Sequence, residues 1–188
     1  MAKLYVFMAS GSEEVETLAV VDIARRAGIE TALVSATGSR EVTGSHRVTV
    51  LCDAVFENTD FSDGDALYIP GGLPGVENLY AHEGLRELLL RYNREGRRIA
   101  ALCAAPGAVF GRLGIVNGKK AACFPGFAQY LEGAQYLPDG VVTDGNVTTG
   151  RGLGYAIDMG LELVRLLAGE DKMLEIKKKI QHPGCCGM

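Results

Sequence analysis

The chain has 188 residues, of which 47% are hydrophobic and 22% charged, with 19 Lys and Arg against 23 Asp and Glu and a formal net charge of −4. This length and composition suit one domain with a full-sized core that needs no disulfide or metal staple. The densest basic run, 177–179, is typical of a solvated helix face, which argues against nucleic acid as a partner. No apolar stretch has the length of a membrane span.

The cysteine content predicts a reduced compartment. An odd number of cysteines rules out complete disulfide pairing within the chain, and no pair has zinc-site spacing. The five are Cys52, Cys103, Cys123, Cys185 and Cys186. The first apolar segment is too short for a signal peptide, so we expect a cytoplasmic protein.

Strands and helices alternate along most of the chain. Apolar runs predict strands over 4–8, 31–35, 66–69, 98–102 and 120–123, with hairpins pairing 42–43 with 47–51 and spanning 141–149. Apolar spacing and capping signals predict helices from the Glu13-Glu14 pair to Ala27, capped by Ser12, and over 82–95, 106–113, 155–168 and 171–180. This alternation predicts a parallel sheet with helices on both faces, in a single domain over 1–182 followed by a flexible tail over 183–188.

Sites in such folds lie beyond the carboxyl ends of the strands. This rule selects three loops, at 9–12, 71–75 and 103–106. Cys103 lies in the last of them, between the small residues Ala101 and Ala105. Small residues at these two positions permit a sharp strand–nucleophile–helix turn. A thiol at a helix N-terminus is expected to have a lowered pKa, and the alternative is an ordinary buried cysteine.

Acidic and glycine residues supply possible partners for the thiol. Glu13 and Glu14 are typical of a helix N-terminus, whereas Glu16 is the carboxyl group predicted to face inward and contact sulfur. Backbone N–H groups of Gly71 and Gly72 are predicted to bind a developing oxyanion. The alternative for this pair is a turn that simply requires glycine.

Four motifs stand in order along the chain: GSEEVET at 11–17, IPGG at 69–72, ALCAAP at 101–106 and TGRG at 149–152. Together they resemble the ThiJ/PfpI superfamily, in the branch of the Parkinson-disease protein deglycase and its bacterial homologues. The resemblance covers nearly the whole chain.

The resemblance implies a flavodoxin-like α/β fold, a three-layer sandwich with a mostly parallel central sheet and a nucleophile elbow. It implies that Cys103 is a nucleophilic, oxidisable thiol hydrogen-bonded to Glu16. The N–H groups of Gly72 and Ala104 would line the oxyanion pocket. It also implies a homodimer and no cofactor or metal.

One departure narrows the chemistry. Phe124 stands where many members of the superfamily have a histidine, and the three histidines are His46, His82 and His182. None lies in a predicted site loop, although His46 could approach from the hairpin or from a partner subunit. A cysteine–histidine protease or amidase is therefore poorly supported.

These observations favour a cofactor-independent, cysteine-dependent glyoxalase or deglycase that acts on methylglyoxal or early glycation adducts. The alternative is a redox-sensing stress protein or holdase chaperone that uses the same thiol without turnover. Phe124 and Arg151 are predicted at the rim of the site. Cys123 is predicted in the core, and Cys52 either at a dimer interface or half-buried.

Overall fold

A seven-stranded sheet runs through the centre of the computed structural model, which describes residues 2–183. The strands, numbered along the chain, are β1 (Lys3–Met8), β2 (Glu30–Ser35), β3 (Glu41–Thr43), β4 (Thr49–Leu51), β5 (Ala54–Val55), β6 (Ala66–Ile69), β7 (Arg98–Leu102), β8 (Lys120–Ala121), β9 (Gln135–Tyr136), β10 (Val141–Asp144) and β11 (Val147–Gly150). The central order is β10–β11–β7–β6–β1–β2–β5, and only the β10–β11 pair is antiparallel.

Helices cover both faces of this sheet. They are α1 (Glu14–Arg26), α2 (Gly75–Ala81), α3 (Glu83–Arg94), α4 (Ala156–Ala168) and α5 (Glu170–Lys179), with a π-helix over Pro106–Gly111. One core cluster joins the sheet to α2, α3 and the π-helix, and the other joins it to α1, α4 and α5. Alternate residues of β1 enter the two clusters, Tyr5 and Phe7 on one face and Val6 and Met8 on the other. The predicted three-layer α/β sandwich with a mostly parallel sheet is confirmed.

Several local predictions need correction. The side chain of Glu13, not Ser12, caps α1 by accepting a hydrogen bond from the Glu16 N–H at 2.7 Å. Ser12 Oγ instead accepts from Ala9 N–H at 3.0 Å, which ties the loop to the end of β1. Helix α2 and edge strand β5 were not predicted. The strand predicted over 120–123 is shorter in the structure, where only Lys120–Ala121 forms β8. This strand pairs with β9 outside the central sheet.

The topology places the three predicted site loops together. Strands β1, β6 and β7 are neighbours and run parallel, so their carboxyl ends meet at one edge of the sheet. Within the described part of the chain, no helix combines the length and apolarity needed to cross a bilayer.

Candidate active site

Cys103 occupies a strained turn at the end of β7. Its φ is +63°, a left-handed conformation that costs a residue with a side chain about 1–2 kcal/mol. Two backbone hydrogen bonds hold it there, because its N–H donates to Gly150 O at 2.9 Å and its carbonyl accepts from Phe124 N–H at 2.7 Å. The flanking Ala101 and Ala105 are fully buried, as the clearance argument requires. The predicted sharp turn is therefore present in the backbone.

Glu16 lies beside this turn with no exposed surface. Its Oε2 accepts a hydrogen bond from the Gly71 N–H at 2.8 Å, while Oε1 is buried with no hydrogen-bond partner among residues 2–183. The prediction that the Gly71 N–H binds an oxyanion is therefore wrong, because this N–H already donates to Glu16. A Cβ on Gly71 would lie 2.6 Å from Cys103 Cβ and 2.9 Å from Glu16 Oε2. A side chain at position 71 would therefore collide with both residues, and glycine leaves the space that they share.

The two acidic groups influence each other's ionisation. Burial raises the pKa of Glu16 to about 7, and outweighs the Gly71 N–H and the Cys103 thiol, which favour the carboxylate. Burial, and after it the negative charge of Glu16, raises the pKa of the Cys103 thiol to about 12. The N–H groups of Ala104 and Gly72 act on the sulfur in the opposite direction.

The prediction of a lowered thiol pKa is therefore wrong, because burial raises that pKa and the negative charge of Glu16 raises it further. The helix after Cys103 is only a short π-helix, and its N-terminal N–H groups do not offset burial beside a carboxylate. Protonation of Glu16 removes the charge repulsion and leaves the N–H groups of Gly72 and Ala104 in place. A proton on Glu16 therefore makes the thiolate at Cys103 less unfavourable, while burial still opposes it.

A pocket of about 640 Å³ opens over Cys103. Phe124 and Arg151, predicted at the rim, both line it. Its apolar residues Leu73, Leu153 and Tyr155 were not named as site residues from the sequence. Leu73 lies in a loop that the strand-end rule had already selected, and Leu153 lies in the loop of Arg151, which was expected to cover the site, so signals for both were available. For Tyr155, placed by a short 3₁₀ turn after β11, no local pattern pointed to the site.

The β3–β4 hairpin brings His46 to the pocket, the approach that the sequence left open. Burial opposes ionisation of Glu14, but the N–H groups of its own backbone, His46 and Val48 keep its pKa below the ordinary value. The carboxylate accepts from His46 N–H at 2.7 Å and from Val48 N–H at 3.3 Å. Glu14 therefore clamps the hairpin to α1 rather than simply decorating a helix end.

Glu13, Glu14 and His46 are the residues that offer ligands for a cation, since one atom from each lies within 4.8 Å of the others. His46 Nδ1 is 3.4 Å from Glu14 Oε2 and 3.8 Å from Glu13 Oε1. Hydrogen bonds already account for both carboxylates, because Glu13 caps α1 and Glu14 holds the hairpin. The cluster is explained by structure without a metal.

The other described cysteines are inaccessible. Cys52 and Cys123 are fully buried, whereas Cys103 is only partly so. Burial raises the pKa of both Cys52 and Cys123 to about 11. Cys123 packs in the core as predicted, and Cys52 is buried rather than half-buried. The predicted tail over 183–188, with Cys185 and Cys186, lies outside the described residues apart from Pro183.

Comparisons with known proteins agree with this architecture. The model of the DJ-1/PfpI family matches residues 2–166. Protein dj-1beta of Drosophila melanogaster is 34% identical over 92% of this chain and 93% of its own length. Protein DJ-1 homolog B of Arabidopsis thaliana is 31% identical over 94% of this chain, which spans only 40% of that longer protein. The solved structure of oxidized Toxoplasma gondii DJ-1 superposes with a TM-score of 0.93 at 29% identity, covering 96% of this chain and 98% of that one.

Proposed function

This chain belongs to the DJ-1/PfpI family, and we propose on that basis that it is a cofactor-independent, cysteine-dependent glyoxalase or deglycase. The observation that carries the proposal is the placement of Cys103 on a strained turn against the buried carboxyl group of Glu16. Its substrates would be methylglyoxal or early glycation adducts.

Access and strain support Cys103 as the nucleophile. It is the partly exposed thiol of the three described, and it lines the pocket. The left-handed backbone aims its side chain at the loop after β6, where Gly71 leaves room for sulfur. Strain of this kind clusters at functional sites, where the surrounding structure holds the unusual conformation.

The proposed reaction is an internal redox rearrangement followed by hydrolysis. With the proton on Glu16, the thiolate of Cys103 attacks the aldehyde carbon of methylglyoxal, and the carbonyl electron pair becomes an alkoxide. The N–H groups of Gly72 and Ala104 stabilise that alkoxide. Glu16 first gives its proton to this oxygen and is then a carboxylate able to act as base.

Proton transfer between the two carbons follows. Glu16 removes the hydrogen of the former aldehyde carbon and returns it to the former ketone carbon. The hydroxyl proton on the former aldehyde oxygen passes to the ketone oxygen in the same rearrangement, which leaves a lactyl thioester on Cys103. Water hydrolyses the thioester to lactate and the free thiol. The aldehyde carbon is oxidised and the ketone carbon reduced, so that only water is consumed. A carboxyl group with a pKa of about 7 can both accept and donate this proton near neutral pH, so the transfer needs no histidine.

Lactate production from methylglyoxal tests the proposal. We expect Cys103→Ala and Glu16→Gln to lower kcat/KM by about 10²-fold or more, since each removes a group that acts on the reacting atoms. Cys123→Ala is the matched control, because it removes a buried thiol outside the pocket. Turnover by the wild-type protein no faster than by Cys103→Ala would overturn the proposal.

A redox-sensing stress protein or holdase is the second candidate. It is favoured by the N–H groups of Gly72 and Ala104 that act on the sulfur, and by the oxidized state in which the Toxoplasma gondii relative was solved. One peroxide would convert the Cys103 thiolate to a sulfenate and a second would yield a sulfinate, each releasing one water. Protonated Glu16 would then donate a hydrogen bond to the sulfinate.

Intact-mass measurement after mild peroxide separates the two candidates. A gain of two oxygen atoms confined to Cys103, with no lactate formed from methylglyoxal, would support the sensor and count against the enzyme. We expect Glu16→Gln to carry the oxidation further, to the sulfonate, because it cannot donate the proton of a carboxylic acid. Oxidation spread equally over Cys52 and Cys123 would count against a dedicated sensor.

We also propose a cytoplasmic homodimer. Four large apolar side chains are exposed on α1 and on the hairpin region: Val15, Leu18, Val48 and Leu51. Burying such a patch against a second copy is favourable. Sedimentation equilibrium at micromolar concentration tests this, and a monomer would contradict it.

A further inference from the structure

One wall of the pocket over Cys103 is apolar and open to solvent. Leu73, Phe124, Leu153 and Tyr155 line it, and their exposed fractions are 58%, 49%, 48% and 38%. Exposed apolar groups that converge on a reactive centre are unusual on a protein surface unless something covers them. Because these side chains and the thiol line the same pocket, a molecule that the thiol attacks is placed to cover them.

Gly152 keeps a gap open between the thiol and this wall. A Cβ at position 152 would lie 3.8 Å from Phe124 Cδ2 and 3.9 Å from Cys103 Sγ, so both flank the same space. The φ of Gly152 is 162°, extended backbone that any residue can adopt. Glycine is therefore not demanded there by the turn, and its lack of a side chain leaves room beside the sulfur.

The same pocket is also lined by charged groups. Glu13 and Glu16 line it, with Glu13 raising the pKa of Glu16 by its charge, and Arg151 lines it as well. An anionic substituent would be repelled by Glu13 and attracted by Arg151, so the preference for an uncharged group rests on the apolar side chains. A three-carbon dicarbonyl would leave the apolar wall, and most of the pocket of about 640 Å³, in contact with water.

We propose that the site prefers 2-oxoaldehydes carrying an uncharged aryl or branched alkyl group over methylglyoxal, with Phe124 and Gly152 determining that preference. The proposal rests on the dicarbonyl activity proposed above and names its substrate class. The aryl group would occupy the gap at Gly152 against the Phe124 ring, while the aldehyde carbon meets Cys103. Phenylglyoxal would be converted to mandelate with the same atom balance, consuming one water.

The ratio of kcat/KM for phenylglyoxal to that for methylglyoxal measures the preference. We expect a ratio of about tenfold or more in the wild-type protein, because one apolar group in a matching pocket discriminates by that order. Phe124→Ser should lower the ratio about threefold to tenfold, and Phe124→Leu should retain most of it. Tyr136→Ser is the control, since Tyr136 is a comparably exposed ring outside the pocket.

Gly152→Ala tests the gap itself. The contacts at 3.8 and 3.9 Å are ordinary van der Waals distances, so we expect the variant to fold with an unchanged melting temperature. The added methyl group occupies the gap, and the phenylglyoxal-to-methylglyoxal ratio should fall about threefold or more. A ratio that rises or stays constant in both Gly152→Ala and Phe124→Ser would overturn the inference.

Alkylation provides a readout that needs no turnover. We expect N-benzyl iodoacetamide to label Cys103 about threefold to tenfold faster than iodoacetamide, and Phe124→Ser to abolish the difference, with Cys103→Ala as background. If neither dicarbonyl is turned over but Cys103 still reacts faster with the benzyl reagent, the proposed dicarbonyl activity is wrong and the aryl-binding pocket is supported. If methylglyoxal is turned over but neither assay shows an aryl preference, the dicarbonyl activity is supported and the proposed aryl preference is wrong.

Discussion

At the scale of single residues, the site is defined by one carboxyl group that is buried without a countercharge. Glu16 accepts one backbone hydrogen bond on Oε2 and none on Oε1 among the described residues. Burial therefore raises its pKa to about 7, and its charge in turn disfavours a thiolate at Cys103. The fold thus maintains a carboxyl group that can gain or lose a proton near neutral pH.

Glu16→Gln is predicted to stabilise the protein at alkaline pH. A carboxyl group with a raised pKa contributes stability that is fully present below its unfolded value near 4.5 and lost as pH rises through about 7. Replacement by neutral glutamine removes that loss, worth about 3 kcal/mol from the size of the shift. Urea unfolding should show little gain for the variant at about pH 4 and the full gain at about pH 8. An equal effect at both pH values would contradict the prediction.

Cys103→Gly is predicted to be more stable than Cys103→Ala by about 1 kcal/mol. Both remove the thiol, but only glycine adopts φ +63° without steric cost. Ala105→Gly is the control on the same turn, where φ is −63° and the substitution should destabilise by about 0.5–1 kcal/mol. The free energies of unfolding decide the matter, and the same sign for both glycine variants would show that strain at Cys103 is unimportant.

At the scale of elements, the first turn of α1 carries out three tasks at neighbouring positions. Glu13 caps the helix, Glu14 holds the β3–β4 hairpin and Glu16 faces the thiol. The same helix packs against α4, where a Cβ on Gly160 would lie 2.9 Å from Ile23 Cβ. That close approach fixes α1 on the sheet and thereby fixes the carboxyl group of Glu16 relative to β7.

Glu14→Ala is predicted to release the hairpin. It leaves the N–H groups of His46 and Val48 without their acceptor, at a cost of about 1–3 kcal/mol. Amide hydrogen exchange at His46 and Val48 should accelerate, while exchange in β6 and β7 stays slow. Glu41→Ala serves as the control, because Glu41 is an exposed carboxylate on β3. Unchanged exchange at His46 would show that the clamp is unimportant.

At the scale of the whole molecule, two core clusters share one sheet. Tyr5 and Tyr92 are buried in one cluster and Tyr68 in the other, and each strand of the sheet centre contributes to both. Neither helical layer can keep its apolar face buried without the sheet between them. This dependence favours the single domain predicted over 1–182, which stays a prediction.

One cooperative unfolding transition is therefore predicted. Tyrosine fluorescence, which reports both clusters, and far-ultraviolet circular dichroism should give the same urea midpoint. Leu89→Ala in α3 and Val164→Ala in α4 lie on opposite faces and are fully buried. Each should lower the urea midpoint of both signals together. The free energy of unfolding should fall by about 2–5 kcal/mol for the leucine and by less for the smaller valine. Separate midpoints would indicate two independent units.

The sequence by itself determined the kind and order of most elements. The buried strands at the sheet centre are continuous apolar runs, and the small neighbours of Cys103 predict its sharp turn. Local patterns were therefore enough to predict these elements. The strand-end rule then selected three loops that the structure brings to one edge of the sheet. Helix α2 was not predicted because it begins in a glycine-rich loop. Strand β5 was not predicted because its two residues are too few to show a periodic pattern.

The sequence separated Glu16 from Glu13 and Glu14, but the tertiary structure alone decided what the other two acidic residues do. Only the packing of α1 against the hairpin shows that Glu13 caps the helix and that Glu14 holds the hairpin. The direction of the Cys103 pKa also depends on packing, because burial beside a carboxylate outweighs the local helix terminus that the sequence displays. Ionisation responds to every charge and dipole around a group, whereas a sequence pattern records only its neighbours along the chain.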